Sequence, residues 1–261
     1  MSFLAARRRH PAALVLVLLF GLIVTGGLYA ALAPKNADAA TTSSSDIKAG
    51  KELFLSNCAT CHGVNATGGD GGPDLVGVGA AAVDFQVGTG RMPLAGPGIQ
   101  AERGTDEVKF SQKQISQLAA YVASLGPGPA IPDKKWTSGG GDIAKGGELF
   151  RVNCAMCHNF AGSGGALTRG KFAPSLMDVS GKHMFEAMET GPQSMPVFNN
   201  SNMTPQDKKD IISFLQHTKE EPNHGGANLG NLGPVPEGLF AWTIGIGLLI
   251  GAAVWLGRKA A

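Results

Sequence analysis

Cysteine and charge are both scarce in this chain, and each shortage excludes something. The 261 residues include four cysteines, too few to brace a protein of that length with disulfides. Charged residues make up only 16% against 43% hydrophobic residues, which excludes a highly charged disordered chain. Basic charge is missing where a nucleic-acid surface would need it. Arg7, Arg8, Arg9, Arg258 and Lys259 sit at the two extremities, and acids outnumber bases between residues 34 and 237. No nucleic-acid partner is expected. Glycine is plentiful, at 38 residues, but has no G-X-Y period, so a collagen-like chain is excluded. That composition fits short helices joined by long loops wrapped around something the chain does not itself supply.

The basic extremities flank uncharged apolar runs, Ala12 to Leu32 and Leu239 to Leu256. About 20 apolar residues suffice for a helix to cross a bilayer. Residues 239–256 are expected to form a transmembrane helix, with Trp242 and Trp255 near its ends as interfacial anchors and residues 257–261 as a cytoplasmic tail. Residues 1–33 read either as a retained transmembrane helix or as a signal segment. Ala31-Leu32-Ala33 and Ala37-Asp38-Ala39 both fit an A-x-A cleavage site. Either way, positive charge stays inside, so residues 34–237 are expected on the outer side of the cell membrane.

Between the ends the chain repeats itself. The segment from Gly50 through Phe54, Cys58 and Cys61 to His62 returns from Gly146 through Phe150, Cys154 and Cys157 to His158. Two homologous domains are expected, at 47–126 and 142–219, with linkers at 34–46, 127–141 and 220–238. The second linker is rich in Pro and Gly, stiff and then flexible. Each domain reads as helix, long loop, helix, giving an all-α protein. Ser111 with Gln114, and Thr204 with Pro205 and Asp207, mark the starts of the two last helices. The intervening loops are too long for a compact domain unless they enclose a ligand.

The cysteine pairs identify that ligand. C-x-x-C-H is the attachment signature of c-type haem. Two thiols three residues apart on one turn reach the two vinyl groups on one porphyrin edge, and the next residue places an imidazole on the iron. Cys58, Cys61 and His62 would hold one haem; Cys154, Cys157 and His158 would hold the other. A thioredoxin-like pair needs no following histidine, and a zinc ribbon needs far closer pairs. Methionine commonly supplies the second axial ligand in electron-transfer cytochromes. Met92 is the only methionine between the two motifs. In the second domain Met177, Met184, Met188, Met195, Met203 and His183 compete, and Met195 is favoured because Met195-Pro196 repeats Met92-Pro93. The carbonyls of Pro73 and Pro174 are candidates to accept the other ring N–H of each histidine. Arg91 reads either as a partner for a haem propionate or as a solvated surface residue. His10, His217 and His224 read as ordinary polar positions. With both irons carrying His and Met, neither has an open position, which points to outer-sphere electron transfer.

These motifs, with an aromatic residue in each last helix, resemble the class I cytochrome c pattern twice over. The resemblance implies that Gly50 and Phe54 pack against Tyr121, and Gly146 and Phe150 against Phe214, where first and last helices cross. The whole architecture resembles the dihaem cytochrome c subunits of actinobacterial cytochrome bc complexes. That resemblance implies two covalently bound haem c groups in an electron-transfer subunit of a menaquinol-oxidising translocase, with a cytochrome b subunit and a Rieske iron–sulfur subunit as partners. It also implies delivery of electrons to an aa3-type cytochrome c oxidase, and contact with membrane lipid. The alternatives are a dihaem subunit of a cbb3-type oxidase, which resembles the tandem modules but lacks a C-terminal anchor, and a stand-alone membrane-anchored dihaem carrier.

Overall fold

The structure, a computed structural model, describes residues 11–32, 43–94, 96, 98–104, 108–220, 229 and 234–259. Arg7–Arg9, the Ala37-Asp38-Ala39 site, His10, His224 and most of linkers 34–46 and 220–238 lie outside these. The chain separates into two units, Met1–Thr41 and Thr42–Ala261. The first contributes one helix, α1 (Pro11–Leu32), apolar on every face, with Leu16, Phe20 and Ile23 exposed.

In the second unit, α2 (Ser44–Asn57) starts at Ser43, whose hydroxyl accepts from the Asp46 N–H. A one-turn helix α3 (Ala59–His62), then α4 (Gly79–Gly88) and α5 (Gln112–Leu125) complete the first domain. The Ser111–Gln114 capping box is present in full. Phe54 of α2 packs on Tyr121 of α5, with ring centroids 5.3 Å apart, over a core that includes Ile115, Leu118 and Val122. A Cβ at Gly50 would strike the Gln117 carbonyl, so only glycine lets the helices cross this closely. The second domain repeats the plan with α7 (Ile143–Asn153), α8 (Ala155–His158), α9 (Gly181–Thr190) and α10 (Pro205–Glu220), reached through a short α6 (Lys134–Thr137). There Phe150 meets Phe214 at 5.6 Å, and Gly146 presses on the Asp210 carbonyl. The Thr204 hydroxyl accepts from the Asp207 N–H, and the Asp207 carboxylate accepts from the Thr204 N–H, closing the second capping box.

Three features differ from the expectations. Each long loop contains a third helix, α4 or α9. The cap of α9 is ordinary: Ser180 accepts from His183 N–H, and Gly191 follows in the left-handed region at φ 59°. The Gly-Ala-Ala-Ala start of α4 has no side-chain cap and reads as loop. The Pro/Gly linker is not a free spacer. Pro129 accepts from the Ala81 N–H at 3.1 Å, and Gly141 donates to the Ser213 hydroxyl at 2.8 Å. The final helix, α11 (Pro234–Lys259), outruns the expected 239–256. Its apolar stretch Val235–Lys259 is long enough to cross a membrane. A two-stranded antiparallel ribbon, β1 (Gly165–Ala166) with β2 (Phe172–Ala173), encloses a short 3-10 turn at Thr168–Gly170.

Helices α4 and α9 also join the two domains. The Asp84 carboxylate, 1% exposed, takes an ion pair from Lys182 at 2.5 Å and lies 3.6 Å from His183. Burial alone would raise its pKa, but hydrogen bonds from His183 and Lys182 and the Lys182 charge hold it at about 2. Glu186 beside it is fully buried. Burial first, and the Asp84 charge second, push its pKa up to about 9. Glu186 therefore keeps its proton at neutral pH and can donate it to Asp84, which accounts for carboxylate oxygens left without another partner.

Candidate functional site

Each motif is built at the end of a first helix. The N–H of Cys58 donates to the Phe54 carbonyl at 2.8 Å, closing α2, and Cys58 turns aside at φ −122°. The N–H groups of Cys61 and His62 then return to the Cys58 carbonyl at 3.1 and 3.0 Å. The second copy repeats this: Cys154 to Phe150 at 2.8 Å, and Cys157 and His158 to Cys154 at 3.1 and 2.9 Å. One turn thus sets two thiols and an imidazole side by side twice.

None of the four cysteines is in a disulfide. Burial, with a smaller effect from Cys157, pushes Cys154 up to about 12, and burial also raises Cys58. A redox-active or metal-binding thiol needs the opposite shift. At those two positions burial disfavours a thiolate.

The histidines are oriented identically. His62 Nδ1 lies 2.8 Å from the Pro73 carbonyl, and His158 Nδ1 lies 3.0 Å from that of Pro174. A carbonyl can only accept, so Nδ1 carries the proton and Nε2 is left with its lone pair for a metal. Burial lowers the His158 pKa against the opposing Pro174 hydrogen bond, which favours the neutral imidazole. The loops that return the prolines are pinned at matching points. Gly68 and Gly164 donate to the His62 and His158 carbonyls, and Leu75 and Leu176 donate to Ala66 and Gly162.

In the second domain Cys154, Cys157, His158 and Met195 line a single cavity walled by Phe150 and Leu176 among others. Met184 and Met188 of α9 also reach it, but as buried core side chains, 7% and 4% exposed. Met195 stands on a loop and is half-buried. Met177 and Met203 are outside the lining and belong to the hydrophobic cluster. His183 touches the cavity but is turned toward Asp84. In the first domain Met92 and Cys58 pack on the same cluster as Leu75. Met92 is held by its N–H to the Gln86 carbonyl at 3.0 Å.

These residues fit a haem: attachment thiols, an oriented imidazole, an apolar wall and a loop thioether, in each of two copies. One alternative is excluded. Arg91 is not a solvated surface residue; it is 9% exposed, bonded to Thr89 and stacked on Phe85. It also lines the second domain's cavity, together with Gln100 and Arg103. The sequence carries no sign of that reach, because the contacts join residues from different copies of the repeat.

Comparison with known proteins follows the same division. A family model for cytochrome c matches residues 47–126, and one for subunit III of cbb3-type cytochrome c oxidase matches residues 141–215. Over nearly its whole length the chain is similar to the cytochrome bc1 complex cytochrome c subunit of Corynebacterium efficiens. The two are 44% identical over 96% of this chain and 90% of that one. The protein of the same description from Mycobacterium tuberculosis is 45% identical over 93% of this chain and 89% of its own. Similarity to the cbb3-type cytochrome c oxidase subunit FixP of Sinorhizobium medicae is partial, 32% identity over 51% of this chain and 45% of that one.

Proposed function

The chain belongs to the family of cytochrome c subunits of the cytochrome bc1 complex, and from that premise we propose how its two halves work. It is an electron-transfer subunit with two cytochrome c domains and two covalently bound haem c groups. In our reading the domains span 47–126 and 142–219. Cys58 and Cys61 would attach the first haem, and His62 and Met92 would hold its iron. Cys154 and Cys157 would attach the second, and His158 and Met195 would hold its iron. The haems supply one-electron chemistry without an open coordination position. The protein fixes the imidazole tautomer through Pro73 and Pro174 and keeps water from the ring faces with the two aromatic–aliphatic clusters.

The observation that carries this reading is the duplicated histidine-to-proline hydrogen bond behind a C-x-x-C-H turn. Membership of that family supports a wider reading, which is part of the same proposal. Electrons enter from a Rieske iron–sulfur subunit beside a cytochrome b subunit that oxidises menaquinol, and leave to an aa3-type oxidase. Helix α11 anchors the haem domains on the outer face of the cell membrane, with its Arg258-Lys259 end in the cytoplasm.

The match of residues 141–215 to an oxidase family favours one second reading, a subunit of a cbb3-type oxidase. Near-complete coverage by bc1-complex relatives and the C-terminal apolar helix weigh against it. Affinity purification of the tagged chain from detergent-solubilised native membranes separates the two. Cytochrome b and Rieske subunits are expected in the eluate; a b-type haem–copper oxidase without them would refute the proposal.

A further inference from the structure

The cavity of the second cytochrome domain is not closed by that domain alone. Arg91, Gln100 and Arg103 of the first domain form part of its wall. The Arg91 guanidinium lies 4.8 Å above the Phe85 ring and donates to the Thr89 hydroxyl at 2.6 Å. Arg103 reaches across the domain boundary and donates to the Asp178 carbonyl at 2.9 Å. The two guanidiniums are near enough to repel one another. Arginine does not lose its charge on burial, so a buried guanidinium calls for an anion. Among the described residues neither has a carboxylate partner, and no aspartate or glutamate lines the cavity. A ligand that carries its own anions would supply what these described residues do not.

We infer that Arg91 and Arg103 of the first domain bind the propionates of the haem held by the second, so that the second haem site is shared between domains. The inference rests on the assignment of that haem to Cys154, Cys157 and His158. A haem carries two carboxylates on one edge, matching the two cations in the wall of a largely apolar cavity. Guanidinium is also the group best shaped to grip a carboxylate with paired donors. Arg91 precedes Met92, so the loop proposed to ligate the first iron also closes the second cavity. Seating the second haem would therefore help fix how the two domains dock, alongside the Asp84–Lys182 pair.

The test is potentiometric titration of the c-type α band in the detergent-solubilised full-length protein, with haem per chain measured separately. The second haem's wave is the one displaced by Met195→His. Reduction adds an electron, so removing a nearby positive charge disfavours it. Arg103→Gln, a change at an exposed position, is expected to shift the second wave to lower potential and leave the first in place. Arg91→Gln should shift the same wave, and Arg91→Lys should restore part of the shift. A shift confined to the first wave, or none in either glutamine variant, would overturn the inference. A wild-type chain holding fewer than two haems would overturn the haem assignment itself, and this inference with it.

Discussion

Replacing Gly72 with alanine should change the first haem's potential without touching the haem. An added Cβ would lie 2.9 Å from both Cε1 and Nδ1 of His62. Ordinary contact begins near 3.4 Å, so the ring must move by about half an ångström. The His62–Pro73 bond, now 2.8 Å, would stretch toward about 3.3 Å, beyond the normal N–H···O range. Such a bond contributes about 0.5–1.5 kcal/mol net. It makes the imidazole a better electron donor, which favours the oxidised iron. Its loss should raise the potential, by about 20–60 mV if the whole contribution is felt by the oxidised state, taking 59 mV per 1.4 kcal/mol for one electron. The counterpart position shows when alanine is tolerated. Ala173 precedes Pro174 there, but the loop from His158 to Pro174 is longer than that from His62 to Pro73 and folds as the β1–β2 ribbon. Redox titration of the purified protein reads the result, with Gly69→Ala as control, since its Cβ would meet only the Cys61 carbonyl at 3.6 Å. A first-haem potential that stays put or falls would refute the reasoning.

Met92→His and Met195→His should each lower the potential of one haem only, because imidazole stabilises the ferric iron more than thioether does. An unchanged potential in either variant removes that ligand assignment. Gly146→Ala should destabilise the second domain by about 1–3 kcal/mol, the usual cost of forcing volume into a packed contact. Thermal unfolding followed in the Soret region should show an earlier transition, while Gly96→Ala, with nothing within 4 Å, should not. The domain junction should respond to pH. Glu186 titrates at about 9 in the folded protein against an ordinary value of 4.5, so the native state holds a proton that the unfolded chain has released. Stability should fall as pH rises through that window and level off above 9, with Glu186→Gln flattening the slope between pH 6 and 9. Asp84, at about 2, acts in the opposite sense, contributing above its ordinary value of 3.8 and losing that contribution only as pH falls toward 2.

The attachment turns were legible in the sequence because their residues stand at fixed local spacing and appear twice; the proline carbonyls showed through the repeated Pro-x-Leu despite loops of different length, and the helix crossings through the resemblance to class I cytochrome c. The caps at Ser111 and Thr204 are local in the same way. Helix α4 was not legible: its Ala-rich start lacks a cap, and it is held by packing on α5 and α9. The role of Arg91 was half visible. Its place beside Met92 hinted at a propionate, but which haem it faces depends on how two domains dock, and that docking involves the Asp84–Lys182 ion pair and the buried, protonated Glu186 beside it. Charged residues near a domain's last-aligned motif read as surface until the partner surface is known. Gln100 and Arg103 were missed for the same reason.

The most direct test of the central claim is rapid anaerobic mixing of the purified native complex with a menaquinol analogue, following the c-type α band. Both haems of this chain are expected to become reduced at a rate set by quinol oxidation, and added oxygen to reoxidise them where an aa3-type oxidase is present. Haems that stay oxidised while the b-type haems are reduced would contradict it.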